Sequence, residues 1–182
     1  MGHYFIIPKH LSYFSLFIFH ISHFTSHISL PTTHYLRSMH VIGRSDKVDF
    51  PELGLENIDA KIDSGAFTSS IHCENIHAHY KGEDHFVKFT VYNNDEALHR
   101  EAKVFASKQV KNSFGQTEYR YSIKTPVLLF GKSYVIELAL TNRSQMKYPV
   151  LLGRQLIGER FIIDVTKRNL SFKEKTKQKK QS

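Results

Sequence analysis

The chain lacks the residues that several common protein classes require. It has a single cysteine, Cys73, in 182 residues. One cysteine can form neither an intrachain disulfide nor a zinc cage of several thiolates, so the sequence does not support a secreted disulfide scaffold or a zinc finger. A reducing compartment is therefore expected, and we predict a cytoplasmic location.

Acidic residues are absent from residues 1–38, which hold six of the 12 histidines and many Phe and Ser residues. Residues 11–30 carry no charge at neutral pH, and this length raises membrane association as an alternative. Histidines, serines and a threonine dilute the run and argue against a spanning helix. Because Met39 opens directly into ordinary globular sequence, we interpret residues 1–38 as an atypical extension, with a true start at Met39 as a further alternative.

The central part of the chain carries no net charge, although the whole chain has a formal charge of +8. Residues 1–38 hold two basic residues, and residues 167–182 hold seven basic residues against one acidic residue. The excess therefore belongs to the ends, and specific nucleic-acid binding by residues 39–166 is not expected. We interpret residues 167–182 as a basic disordered tail, with nonspecific binding to RNA or acidic protein as the alternative.

Helical periodicity beyond two turns is absent from residues 39–166, whereas short strand patterns are frequent. We predict a hairpin at Gly131-Lys132 and one short helix over residues 154–158. Short strands with frequent turn residues indicate a small β-barrel or sandwich. The predicted strands lie at residues 86–92, 103–106, 119–123, 125–130, 133–140 and 161–165.

One short apolar stretch ends in a carboxylate, a hydroxyl and a glycine, at Asp63-Ser64-Gly65-Ala66. We expect Gly65 to adopt a backbone conformation that a Cβ would forbid, and Ser64 to form a hydrogen bond that holds the loop rigid. Such a loop suits a catalytic aspartate. Asp, Ser and Gly are also ordinary turn residues, so the triplet alone leaves both interpretations open.

A second block, residues 148–157, is an apolar run that contains Gly153-Arg154. With this block the sequence resembles the retropepsin-like aspartic peptidases, and most of all the bacterial family that carries the name ATP-dependent zinc protease. The first loop of that family reads like Asp-Thr-Gly-Ala-x-Thr-Ser-Ser-Leu-His, and residues 63–72 follow it almost throughout. Further matches at residues 118–121 and 136–143 extend the resemblance over about residues 40–166.

The resemblance implies a mostly β fold over residues 39–166, namely a small closed retropepsin-like β-barrel with one short helix. It also implies an aspartic endopeptidase that cleaves a peptide or protein substrate. The residues implied for the site are Asp63 as the catalyst, Ser64, Gly65 and Ala66 as its loop, Leu152, Gly153 and Arg154 as the bracing segment, and Ser113, Phe114 and Gly115 as a candidate flap. A plain surface hairpin is the alternative for the flap.

The chain has no second Asp-Thr/Ser-Gly triplet. Aspartic peptidases use two aspartates around one water, so this chain would need a homodimer to bring two copies of Asp63 together. Two positions depart from the family pattern. Ser64 replaces the usual threonine and keeps the hydroxyl, whereas Phe67 replaces an acidic or polar residue and removes any ion pair from this position to Arg154.

Motifs for metal, nucleotide and serine chemistry are absent from the sequence. There is no His-Glu-x-x-His, no Gly-x-x-x-x-Gly-Lys-Ser/Thr and no Gly-x-Ser-x-Gly. His77 and His79 would share a strand face, and we interpret them as packed or exposed histidines, with a metallohydrolase as the alternative. We therefore predict no metal and no cofactor.

A different class of function also fits the resemblance, because a fold does not establish an activity. The chain could be a catalytically inactive peptide-binding or adaptor module on the same fold. Members of the resembled family are often associated with ATP-grasp glutamate ligases, so such a ligase, or a ribosomal partner, is the expected neighbour.

Overall fold

The computed structural model describes residues 39–111, 117–142, 144 and 147–181. These residues fold mainly into strands, with a 3-10 turn at Pro51–Leu53 and the helices α1 (Arg154–Ile157) and α2 (Leu170–Lys179). The strands are β1 (His40–Gly43), β2 (Ser45–Phe50), β3 (Leu55–Asp63), β4 (Ser69–His72), β5 (Glu74–Lys81), β6 (Asp84–Asn93), β7 (Glu96–Lys103), β8 (Ala106–Lys111), β9 (Thr117–Leu129), β10 (Lys132–Thr141), β11 (Val150–Gly153) and β12 (Phe161–Asp164).

Six of these strands form a closed mixed barrel. They pair in the order β10, β4, β11, β3, β2 and β9, and an antiparallel pairing of β9 with β10 closes the ring. The β10–β4 and β11–β3 pairs are parallel. Closure leaves no unpaired edge within the ring. The prediction of a mostly β, closed retropepsin-like barrel is confirmed, although α2 joins the one short helix expected.

The alternation of side chains along β3 shows how the sequence fixes the barrel. Leu55, Ile58, Ala60 and Ile62 are buried, whereas most residues between them are exposed. β11 is buried at all of its positions because it lies between β3 and β4. Each large apolar side chain buried in this way contributes about 1.5–3 kcal/mol. A slip by one residue would reverse the faces of β3, so the apolar interior fixes the strand register and with it the position of Asp63.

A three-stranded antiparallel sheet, ordered β5, β6 and β7, stands beside the barrel. The inner face of β6 places Val87, Phe89 and Val91 in the hydrophobic core. The strand predicted at residues 86–92 therefore lies within β6. β8 pairs with β9 outside the closed ring, with Lys111 opposite Thr117.

The hairpin, the short helix and the last strand predicted from the sequence are confirmed. The hairpin joins β9 to β10 through Phe130 and Gly131, one residue before the predicted position. Both residues have positive φ values, 51° and 67°. A two-residue hairpin turn of type I′ requires positive φ at both of its central residues. α1 ends at Ile157, and Gly158 follows as its cap.

Two strand predictions were wrong in detail. Residues 103–106 are not one strand, because Val104 donates a backbone hydrogen bond to His85 and Phe105 donates one to Ser122, so this segment crosses from one sheet to the other. The strands predicted at 119–123 and 125–130 are a single strand, because the ladder of β9 with β10 continues through Pro126.

The C-terminal segment corrects the prediction of a disordered tail, since residues 170–179 form α2. Asp46, fully buried on β2, accepts hydrogen bonds from the backbone N–H groups of Ser171 (2.9 Å) and Phe172 (3.1 Å) at the start of this helix. Lys175 forms an ion pair with Asp49. The charge pattern indicated solvation, but acidic partners on β2 hold the helix against the barrel.

Among the described residues, no helix is long and apolar enough to span a membrane. Residues 11–30, for which membrane association was the alternative, lie outside the described residues. The interpretation of residues 1–38 as an atypical extension remains a prediction.

Candidate active site

Two parallel strands bring the two sequence blocks together at one end of the barrel. β3 and β11 pair with Ile62 opposite Leu152 and Asp63 opposite Gly153. Asp63 is the last residue of β3, and Gly153 is the last residue of β11. The Asp63 loop and the segment that begins at Gly153 are about ninety residues apart in the sequence. They nevertheless leave the barrel side by side.

The Asp63 carboxylate is held by the backbone of its own loop. Its Oδ1 accepts hydrogen bonds from the N–H groups of Gly65 (3.1 Å) and Ala66 (3.3 Å). Among the described residues, no hydrogen bond reaches Oδ2, and the side chain is half-buried. One oxygen is thus fixed by the loop, and the other is available to a water or a substrate.

Gly65 and Ser64 act differently from the sequence expectation. Gly65 does not have a positive φ, so its backbone conformation is open to other residues. A Cβ at Gly65 would instead lie 3.3 Å from Asp63 Oδ1, so the glycine leaves room for the carboxylate. Ser64 is exposed, and within the described part of the chain its hydroxyl makes no hydrogen bond.

The start of α1 braces the Asp63 loop through three hydrogen bonds. The backbone N–H of Arg154 donates to the Ala66 carbonyl (2.8 Å), and the N–H of Gln155 donates to the Phe67 carbonyl (3.0 Å). The Arg154 guanidinium Nη1 donates to the Gly65 carbonyl (3.2 Å). Three consecutive carbonyls of the loop therefore accept hydrogen bonds from Arg154, which the sequence analysis named, and from Gln155, which it did not.

Gly153 is required by the close approach of the two loops. A Cβ at this position would lie 2.6 Å from the Phe67 carbonyl oxygen and 2.7 Å from the Thr68 carbonyl carbon. Both are backbone atoms of the Asp63 loop, which no side-chain rotation could move. Leu152, the preceding residue, is fully buried and anchors β11 in the core.

Ser69 is a further residue of this arrangement that the sequence analysis missed. Its hydroxyl accepts a hydrogen bond from the Gly153 N–H (3.0 Å), and its side chain is buried. The motif Thr68-Ser69-Ser70 was part of the resemblance, but a repeated hydroxyl does not indicate which one turns inward. The bond ties β4 to the glycine beside Asp63.

The family comparison rests on most of the described chain. The RimB-like family model, described as retropepsin-like aspartic endopeptidase RimB, matches residues 41–174. The chain belongs to this family. The resemblance to retropepsin-like peptidases is therefore confirmed, and the match runs into α2, beyond the boundary at residue 166 that the sequence indicated.

Relatives of this RimB-like chain carry a different name. Proteins named "Probable alpha-L-glutamate ligase" from Desulfotalea psychrophila and Parasynechococcus marenigrum are each 39% identical over 128 residues. A protein of the same name from Shewanella pealeana is 38% identical. Each match covers 68% of this chain and 28% of the relative, so the chain spans well under a third of the length of these curated relatives.

A solved structure supports the fold assignment. The crystal structure of a Legionella pneumophila protein of unknown function (DUF785) aligns with a TM-score of 0.62 at 26% sequence identity. The alignment covers 72% of this chain and 98% of that protein. The aligned part of this chain therefore matches nearly the whole of that protein.

The position that departs from the family pattern carries a new contact. The Arg154 guanidinium lies 5.5 Å from the centre of the Phe67 ring, a cation–π geometry. Phe67 is 56% exposed. Phe67 cannot form an ion pair with Arg154. In this RimB-like chain the aromatic ring instead contacts the Arg154 guanidinium.

The candidate flap, Ser113, Phe114 and Gly115, lies outside the described residues. The strands on either side of it, β8 and β9, pair antiparallel from Lys111 opposite Thr117. The flap role remains a prediction.

The described residues contain no group of three or more His, Cys, Asp or Glu side chains placed to hold a metal ion.

His79 pairs with Glu101 at 2.8 Å. Lys81 donates a hydrogen bond to the Glu101 carboxylate. This bond, together with the nearby His79, lowers the pKa of Glu101. Cys73 is a core residue, and its burial raises the pKa of the thiol to about 12, so the nucleophilic thiolate form is disfavoured at neutral pH.

Proposed function

We propose that the chain is one subunit of a homodimeric aspartic endopeptidase, in which Asp63 from each of two copies activates a water that attacks a peptide bond. The observation that carries this proposal is the Asp63 carboxylate at the end of β3, held through one oxygen by Gly65 and Ala66. Membership of a retropepsin-like family supports the same chemistry.

The reaction needs two carboxylates with different protonation states. Two aspartates that share one proton allow one to take a proton from the water while the other donates a proton to the peptide carbonyl. The sequence has one Asp-Ser-Gly-Ala loop, so the second carboxylate comes from the Asp63 of another copy. Each subunit alone is inactive in this mechanism.

The other predicted residues serve the loop and not the reacting atoms. Ser64, Gly65 and Ala66 shape it, and Leu152, Gly153 and Arg154 keep it in place through the bonds described above. Preorganisation of this kind matters because small displacements of a catalytic group cost large factors in rate. Ser113, Phe114 and Gly115 close over the substrate in the proposal. The mechanism uses no metal and no cofactor.

The names of the relatives favour a second candidate, a catalytically inactive peptide-binding or adaptor module. A segment similar to this chain makes up 28% of proteins named glutamate ligases, so in those proteins a domain of this kind is part of a longer polypeptide. A ligase is therefore the partner that fits either function, and a ribosomal partner remains the other prediction. The two candidates differ in whether peptide bonds are cleaved.

A cleavage assay with the full chain separates the two candidates. We expect the wild type to cleave an unstructured protein, and Asp63→Asn to lower the rate by at least about a hundredfold, because general acid–base catalysis contributes factors of this size. Asp59→Asn is the matched control, since Asp59 lies on the same strand and pairs with Lys47 on the surface. Circular dichroism verifies that both variants fold.

Two results would decide against the endopeptidase. A rate unchanged in Asp63→Asn eliminates Asp63 as the catalyst. A folded wild-type dimer that cleaves nothing across acidic and neutral pH, yet binds unstructured peptides, favours the adaptor.

A further inference from the structure

The proposed function places a strict demand on the surface around Asp63. Two carboxylates can share a proton and a water only when they lie within about 3 Å of each other. In a homodimer the two-fold axis must therefore pass beside the Asp63 loop. Residues that project from this loop then meet their own counterparts in the second copy.

Phe67 is the large apolar side chain that this loop exposes. It lies four residues after Asp63 and is 56% exposed. A single exposed aromatic is ordinary on a protein surface, so exposure alone does not indicate a function. Its position next to the required axis is what distinguishes it from the other exposed apolar residues.

The loop holds Phe67 in one place before any partner arrives. The Phe67 carbonyl accepts the N–H of Gln155 at 3.0 Å, and the Arg154 guanidinium lies over the ring. Arg154 is itself fixed by its bond to the Gly65 carbonyl. A side chain ordered in this way loses little conformational freedom on association.

We infer that Phe67, together with Arg154, forms the centre of an isologous contact with a second copy of this chain. This inference rests on the proposed function, and it makes Phe67 a positioning residue for the pair of Asp63 carboxylates. The aromatic–cation pair replaces the ion pair that an acidic residue at this position would provide. A substrate side chain packed on Phe67 is the competing explanation, and the experiment below distinguishes it.

The exposed apolar residues of β1 and β12, which connect to this end of the barrel through Arg44, would add to the contact. The Arg44 carbonyl accepts the N–H of Ile62, which places the end of β1 beside the end of β3. On the two-stranded sheet of β1 and β12, Val41 and Ile162 are direct neighbours and each is 40% exposed. Val165, just after β12, is 68% exposed. These three residues supply apolar area of the kind that stable dimers bury.

The test compares two exposed phenylalanines, each covered by a cation, in the full chain. Phe105 is 48% exposed, and Lys124 lies 4.1 Å from the centre of its ring. We expect Phe67→Ala to raise the dimer dissociation constant by at least about a hundredfold, because an isologous contact loses two buried rings at once. Phe105→Ala should change it by less than about threefold. Sedimentation velocity over a concentration series measures both.

Activity provides a readout that a substrate contact would not produce. If Phe67 positions the second copy, cleavage by Phe67→Ala recovers as the protein concentration rises, whereas cleavage by Asp63→Asn does not. Phe67→Leu, which keeps a large apolar side chain, should retain most of the dimer. Phe67→Ala that sediments as a wild-type dimer overturns the inference, and a raised KM in that variant then assigns Phe67 to the substrate.

Chemical cross-linking tests the contact in a second way. Ser64→Cys lies on the same loop, is exposed and keeps Phe67, so a short bismaleimide should give a covalent dimer; the double variant Ser64→Cys with Phe67→Ala should give much less. The native Cys73 is buried and does not compete. Equal cross-linking of the two variants overturns the inference.

The failures of the inference and of the proposed function are distinguishable. A wild-type dimer that depends on Phe67 but cleaves nothing leaves the contact standing and removes the endopeptidase. Cleavage that depends on Asp63 in a dimer insensitive to Phe67 does the reverse. A wild type that is monomeric at all concentrations overturns both.

Discussion

Gly153 determines how closely the bracing segment approaches the Asp63 loop. Its φ of −82° is open to any residue, so the requirement for glycine is steric. We expect Gly153→Ala to lower the free energy of unfolding by about 1–3 kcal/mol, because its Cβ would overlap backbone atoms of Phe67 and Thr68. Urea unfolding measures this change. The cleavage rate should fall by a larger fraction than the free energy of unfolding, because the added Cβ displaces the Asp63 loop.

Gly65→Ala is the comparison for that prediction. Its Cβ would lie 3.3 Å from Asp63 Oδ1, a side-chain atom that can move by a few tenths of an ångström. We expect it to destabilise less than Gly153→Ala. Equal losses in the two variants would show that the backbone overlap at Gly153 is relieved by movement elsewhere.

The site residues divide by whether their role depends on local sequence or on tertiary contact. Asp63 and Gly153 were predicted as site residues because each lies in a motif that resembles a motif of the retropepsin-like family. Ser69 and the stacking of Phe67 on Arg154 could not be predicted, because each depends on a strand pairing between distant segments. The reason first given for Gly65 was wrong, since φ is not readable from the residue type alone.

At the scale of elements, the attachment of α2 depends on one buried carboxylate. Asp46 accepts hydrogen bonds from the N–H groups of Ser171, Phe172 and Lys47. We expect Asp46→Ala to cost about 2–3 kcal/mol, because it leaves the first N–H groups of the helix without a partner. Limited trypsin digestion should then cleave within residues 167–181 much faster than in the wild type.

Asp59→Ala is the control for Asp46→Ala, because Asp59 is a surface carboxylate paired with Lys47. An exposed pair of this kind contributes less than about 1 kcal/mol. Unchanged trypsin digestion in Asp46→Ala would indicate that the ion pair of Lys175 with Asp49 suffices to hold α2.

The elements also show which signals the sequence carries. Alternating apolar residues and the turn at Gly131 predicted β6, β10 and the two halves of β9, because period-two burial and tight turns are local properties. The tail was misjudged because seven basic residues in sixteen suggest solvation when their partners are unknown. Those partners, Asp46 and Asp49, lie about 125 residues earlier in the chain.

At the scale of the whole molecule, the barrel is complete but the proposed site is not. The closed ring of six strands satisfies its own edges and needs no second chain. The sequence has one Asp-Ser-Gly triplet, so a single folded subunit presents one of the two carboxylates that the proposed mechanism needs. In the proposed mechanism one chain is therefore enough to form the barrel, whereas activity requires two chains.

Mixing experiments test that separation directly. If both copies of Asp63 are required, adding an equal amount of Asp63→Asn to the wild type should reduce the cleavage rate per wild-type chain to about half after subunits exchange, because random pairing places half of the wild-type chains in inactive mixed dimers. The double variant Asp63→Asn with Phe67→Ala should leave the rate nearly unchanged, since it joins a dimer far more weakly. Undiminished activity in the first mixture, with exchange verified by co-purification of untagged wild type with tagged Asp63→Asn, would mean that one Asp63 carboxylate per dimer is enough.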